Sequence, residues 1–242
     1  MFSPGIHYFP VSPLFVGVLL VLLIVVFLGV VLRVLRYAYT SMGVPPQYFF
    51  AILVLSLLGS YINIPILQFP QARVTTGQEV WIFGVPHMVP MVQDWPGTML
   101  AINVGGGLIP TLLSIYLIAK NGILKSAAIG IAIVAAACYI LAYPVEGIGI
   151  ALPIFYPPVI AAVVALLLSR THAAPLAYIS GTMGTLIGAD LMNLDKVQAL
   201  GAPVMSIGGA GTFDGIFVTG LVAVLLASFA TRRPARAARW DV

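Results

Sequence analysis

Asp190 and Asp214 are the residues of this 242-residue chain best suited to chemistry. Each sets a carboxylate in an apolar, glycine-rich run, Gly184-Thr185-Leu186-Ile187-Gly188-Ala189-Asp190 and Gly211-Thr212-Phe213-Asp214-Gly215. An ionised Asp near the middle of a membrane-spanning helix costs about 2.5–3.5 kcal/mol on insertion scales, so a carboxylate there points to function. Two carboxylates within a few ångströms of each other share a proton, and one then serves as base and the other as acid toward a water, as an aspartyl hydrolase requires. Around them, Gly184, Gly188 and Gly215 permit close helix approach. Gly208, Gly209 and Gly211 offer backbone that an extended substrate can pair with, and Asn103, Thr111 and Asn193 are the neutral polar side chains expected to line a path or pocket.

The elements that position these residues follow from composition. With 61% hydrophobic residues, 7% charged and a mean hydropathy of +1.09, the surface of this chain faces lipid rather than water. A spanning helix takes roughly 20 mostly apolar residues, and about seven such stretches occur, beginning near Pro13, Gln47, Gly97, Ile123, Ala151, Pro175 and Gly208. The predicted fold is an all-α, single polytopic membrane domain over residues 1–242. It has an outer N-terminal segment (1–12), an outer loop (68–96) and a basic tail (232–242). Several helices are expected to kink or break: the second at Asn63 and Pro65, the third within Asn103-Val104-Gly105-Gly106-Gly107-Leu108-Ile109-Pro110-Thr111, and the fifth at Pro153, Pro157 and Pro158.

Orientation follows from where Lys and Arg fall. With seven spans, nine of the eleven lie on one side: Arg33, Arg36, Lys120, Lys125, Arg170, Arg232, Arg233, Arg236 and Arg239, against Arg73 and Lys196. The positive-inside rule then puts the C-terminus in the cytoplasm and the N-terminus outside. The net charge of +4 follows from this asymmetry, so the basic tail is expected to meet anionic headgroups and not nucleic acid. On this topology both aspartates belong to consecutive antiparallel spans near the outer leaflet. On an ideal helix, however, Gly181, Gly184 and Gly188 form one stripe and Asp190 points away from it, so the pair can meet only if the helix loosens near Gly188.

The remaining chemistry-bearing residues are dispersed. Cys138 is alone inside the fourth span, and His7, His87 and His172 have no acidic or histidine neighbour at ligand spacing, so neither metal nor cofactor is expected. Asp195, Lys196 and Glu146 read as solvated loop charges. In the outer loop, Arg73 to Phe83 alternates around a turn signal and reads as a short hairpin, with Trp81 and Trp95 suited to the headgroup region.

Four strings carry a resemblance: Ile62-Asn63-Ile64-Pro65, the Asn103–Pro110 segment, Gly184–Leu194, and Ser206-Ile207-Gly208-Gly209-Ala210-Gly211-Thr212-Phe213-Asp214-Gly215-Ile216-Phe217. Together they resemble a prokaryotic multi-pass membrane family known as a domain of unknown function, number 1614. That resemblance implies a prokaryotic inner-membrane protein with these polar positions at its centre, and brings no activity. Gly188-Ala189-Asp190 also resembles, more weakly, the Gly-x-Gly-Asp motif of presenilin- and prepilin-peptidase-type intramembrane aspartyl proteases, matching one glycine and the Asp.

Three functions fit these residues. One is an intramembrane aspartyl hydrolase acting on a membrane-embedded protein or peptide through Asp190 and Asp214. Another is an ion- or proton-coupled transporter or channel built from broken helices. The third is an accessory subunit or scaffold whose glycine-lined helices pack against another membrane protein.

Overall fold

The computed structural model describes residues 13–70, 72–82, 85–95, 97–145, 149–198, 204–209 and 215–231. The chain divides into two units, Met1–Tyr37 and Ala38–Val242. The first consists, in its described part, of most of helix α1 (Pro13–Ser41). From Leu14 to Val30 its large side chains stand exposed on every face. A helix apolar all round is solvated by lipid.

The second unit is a helical bundle closed at one end by a small sheet. Its helices are α2 (Pro46–Gly59), α3 (Ile109–Asn121), α4 (Leu124–Leu141), α5 (Tyr156–Leu168), α6 (Ala173–Thr185), the short α7 (Leu194–Gln198) and α8 (Gly215–Thr231). Among the described residues, Leu14–Ser41, Val104–Asn121 and Leu124–Leu141 are long and apolar enough to cross a membrane. Pro46–Gly59, Tyr156–Leu168 and Gly215–Thr231 are shorter apolar helices. The chain is therefore a largely α-helical, multi-pass membrane protein. Helix α6 forms the axis of the bundle. Nearly all of its residues are buried, because small side chains on each face meet α4, α5 and α8.

The expected all-α spans give way to strands in three places. Strand β1 (Asn63–Gln68) follows α2, β4 (Met99–Asn103) leads toward α3, and β7 (Val204–Ile207) precedes α8. They form one sheet in the order β1-β4-β7, with β1 antiparallel and β7 parallel to β4. Asn63 and Pro65 therefore do not kink a second span. Pro65 has no N–H and disfavours helix at Ile64, while alternating Ile62, Ile64 and Ile66 suit extended backbone. As an edge strand, β1 tolerates the missing donor, and the register shifts between Pro65 and Leu67. The fifth span likewise begins later than expected. Pro157 and Pro158 occupy the first turn of α5, where a missing N–H costs nothing, and Pro153 lies ahead of the helix.

Between β1 and β4 lie two long strands, β2 (Ala72–Ile82) and β3 (Val85–Trp95). They pair antiparallel from Ala72 opposite Trp95 to Ile82 opposite Val85. The stretch from Arg73 to Ile82, expected to hold a short hairpin, is one continuous strand, with Gly77 opposite Pro90, and Phe83 lies outside the described residues. The side chains of Trp81 and Trp95 lie outside the described part. Two further short strands, β5 (Tyr143–Val145) and β6 (Gly149–Ala151), pair between α4 and α5.

Candidate functional site

The three-stranded sheet gathers polar side chains from segments far apart in sequence. Asn103, the last residue of β4, is 1% exposed and uses its whole amide. Its Nδ2 donates to Ser60 O at 2.8 Å and to Asn63 Oδ1 at 3.1 Å, while its Oδ1 accepts from Gly106 N–H at 2.9 Å. The last bond caps a π-helical turn, Val104–Leu108, that leads into α3. That turn is widened because Pro110 cannot donate to the fourth carbonyl before it, and Ile109 N–H reaches Val104 O instead. Thr111 Oγ1 donates to Gly107 O at 2.7 Å, satisfying a carbonyl in the loosened segment, so in this structure it supports the backbone there.

From Asn63 the network continues to β7. The Ser206 hydroxyl lies 2.6 Å from Asn63 Oδ1 and 2.8 Å from Gly209 O, and its single proton serves one acceptor at a time. The backbone then turns through Gly208 and Gly209, at φ 90° and 86°. A side chain at Gly208 would be strained there and would overlap Gly107 Cα at 2.6 Å. The Gly208 N–H donates to Asp190 Oδ2 at 2.8 Å. Ser206, Asn63 and Asn103 are thus joined side chain to side chain, and Asp190 adds to this polar cluster through the backbone of the turn after β7.

Asp190 reaches that cluster because its helix does loosen. After Thr185, α6 widens into a second π-helical turn, Leu186–Asp190, with Leu191 N–H bonded to Leu186 O. Gly184 and Gly188 keep the stripe against α4, where a Cβ at Gly184 would meet Val134 Cβ at 2.6 Å and one at Gly188 would run into the backbone of Ala135. Asp190 lies off that stripe, at the end of the π turn, and faces the turn after β7. π turns make up well under 1% of residues, and two of them flank this one polar cluster. Beneath it, Leu100, Met205 and Ile207 of the sheet pack on Leu186 and Ile216.

Asn193 is fully buried and closes the same helix end, donating to Gly188 O at 2.9 Å and Ala189 O at 3.0 Å. Lys196 is not simply a solvated loop charge. Its Nζ donates to Asn193 Oδ1 at 2.8 Å and lies 4.6 Å from the Tyr139 ring centroid. That lysine is committed elsewhere. Among the described residues Asp190 has no ion-pair partner. Cys138 is fully buried, with Sγ 3.7 Å from Thr185 Oγ1. No group of three or more His, Cys, Asp or Glu among the described residues could hold a metal ion.

Asp214 and Gly211 lie outside the described residues, so the expected aspartate pair has no distance to report. Gly215 opens α8 with nothing near a Cβ built on it, and Gly208 and Gly209 form the turn after β7 and not the start of the last helix. The family model described as "Protein of unknown function (DUF1614)" matches residues 57–226, more than two thirds of the chain. The chain belongs to that family. The matched region starts within α2 and ends within α8, so the whole polar cluster lies inside it, whereas α1 precedes it. No curated protein and no solved structure matches the chain.

Asn63 and Ser206 were not among the side chains singled out from sequence, although both stand in the strings that carry the resemblance. Their signal was positional: each lies two residues before a residue that breaks helix, Pro65 and Gly208. Replacing Asn103 by Ala strands Gly106 N–H and Ser60 O, and is expected to destabilise the protein by about 1–3 kcal/mol. Thermal unfolding followed by a thiol-reactive dye on the single, buried Cys138 measures this, and an unchanged midpoint would remove Asn103 from the centre of the network.

Proposed function

We propose that this protein moves a cation or proton across the membrane, with Asp190 as the group that binds it. One observation carries the reading: three segments give up helix at the same end of the bundle, and there Asp190, without an ion-pair partner among the described residues, is tied to the turn that follows Ser206, whose hydroxyl bonds Asn63. Irregular backbone at membrane depth is tolerated where protein or a wet cavity satisfies it, and broken helices beside a carboxylate are how secondary transporters bind coupling ions. Asp190 Oδ1 supplies the charge, the Ser206 hydroxyl and Asn63 Oδ1 supply neutral oxygens, and the Gly208 N–H fixes the carboxylate's orientation. By the distribution of Lys and Arg, seven spans place the N-terminus outside and the C-terminus in the cytoplasm of a prokaryotic inner membrane.

A second reading, an intramembrane aspartyl hydrolase, is favoured by the bond from Gly208 to Asp190, because it ties Asp190 to a residue only six positions before Asp214 in the chain. Purified protein in proteoliposomes separates the two. The first reading expects ion or proton flux down an imposed gradient above that of protein-free vesicles. Absence of flux for protons and for monovalent cations, together with cleavage of a membrane-embedded peptide that needs Asp214, would transfer the site to hydrolysis.

A further inference from the structure

Along the bundle, α2 and α3 leave between them an open apolar groove of about 450 Å³, running from Ile109, next to the π turn, to Val44 and Pro45 at the end away from the polar cluster. It is lined along α2 by Pro45, Tyr48, Ala51 and Leu55, and along α3 by Leu112 and Tyr116. That volume falls in the range of about 300–1,000 Å³ of small-molecule sites. From Pro46 to Leu55 the groove follows about 14 Å of helix, so it is elongated like an acyl chain. Tyr48, Leu55, Leu112 and Tyr116 are between 43% and 59% exposed, which leaves the groove open along its length.

One end of the groove carries a held positive charge. Lys120 is the basic residue in the last turn of α3, one turn beyond Tyr116, and its Nζ donates to Gly43 O in the turn before α2. The ammonium also lies 5.5 Å from the Tyr116 ring centroid. Two contacts therefore position the charge over the groove mouth, while the side chain stays exposed and an ammonium has donors to spare. Lys125, at the start of α4, and Arg170, between α5 and α6, belong to the same end of the bundle. The acidic side chains described in this unit, Asp190 and Asp195, belong to the other end.

We infer that this groove is a specific site for an anionic phospholipid, with an acyl chain between α2 and α3 and the phosphate on Lys120. The charge at the mouth selects the occupant: an apolar groove alone accepts any lipid chain, whereas a fixed, exposed ammonium with no carboxylate beside it among the described residues favours a negatively charged headgroup.

Native mass spectrometry of the purified full chain, titrated with phosphatidylglycerol and phosphatidylcholine of identical acyl chains, tests this. Phosphatidylglycerol is expected to be retained about fivefold better. Lys120→Gln should bring the two lipids level, and Ala51→Trp, a change at an exposed position that fills the groove, should reduce retention of both. Equal retention of the two lipids by the wild-type chain would overturn the proposal. So would a preference that survives Lys120→Gln, which would assign it to general surface charge, or binding indifferent to Ala51→Trp.

Discussion

Asp190→Asn is expected to abolish ion flux through the reconstituted protein while leaving it folded. The amide retains an oxygen where the carboxylate accepts from Gly208 N–H at 2.8 Å, so the turn after β7 keeps its anchor. What disappears is the charge. A hydrogen bond or ion contact to a charged group is worth about 1.5–3 kcal/mol, so the change should weaken ion binding roughly 10- to 100-fold and bring flux near the protein-free baseline. Because Asp190 has no ionic partner among the described residues, no buried cation is stranded by its loss, and the thermal midpoint should hardly move. Flux equal to wild type would show that the carboxylate is not the binding group. A large drop in midpoint would make it a structural acceptor for the turn.

The second large effect is on folding. Gly105→Ala should prevent normal assembly of the second unit, because a Cβ there would penetrate the backbone of α2 at Ser56 and Ser60 and approach Gly59 C at 2.9 Å. These neighbours are main-chain atoms and cannot rotate away, so the strain should reach or exceed the 1–3 kcal/mol typical of overpacking. The contact also sits where the π turn before α3 meets the end of α2, so moving it disturbs the Asn103 bonds to Ser60 O and Gly106 N–H together. Size-exclusion profiles of detergent extracts report the outcome. The expected result is loss of the monodisperse peak, and a wild-type profile would show that α2 and this turn separate freely.

Much of this arrangement was legible in the sequence, and the part that was not has a physical cause. Hydrophobicity located the apolar helices, and the glycine and proline runs marked where helix would fail. What they could not specify was what replaces the helix. Asn63 and Asn103 were read as polar interruptions within spans and Ser206 was given no role, yet each lies on a strand of one sheet, and pairing between residues some 40 and 140 positions apart leaves no periodic trace. Asp190 shows the converse case. Its phase on an ideal helix turned it away from the Gly184–Gly188 stripe, and the helix does loosen there, into the π turn at Leu186–Asp190, whose winding no periodicity in the sequence specified. Gly208 was legible as unusual backbone, but its reason, contact with Gly107 across the sheet end, depends on the tertiary fold.

The account rests on the polar cluster being reached by water and not sealed as a structural knot. Ser206 reports on this directly, since it is only partly buried and belongs to the same network as Asp190 and Asn63. In a Cys138→Ala background, Ser206→Cys should react with a membrane-impermeant, charged thiol reagent in intact proteoliposomes, and the transported ion should slow the reaction. A thiol at that position that reacts only after denaturation would contradict a binding site there.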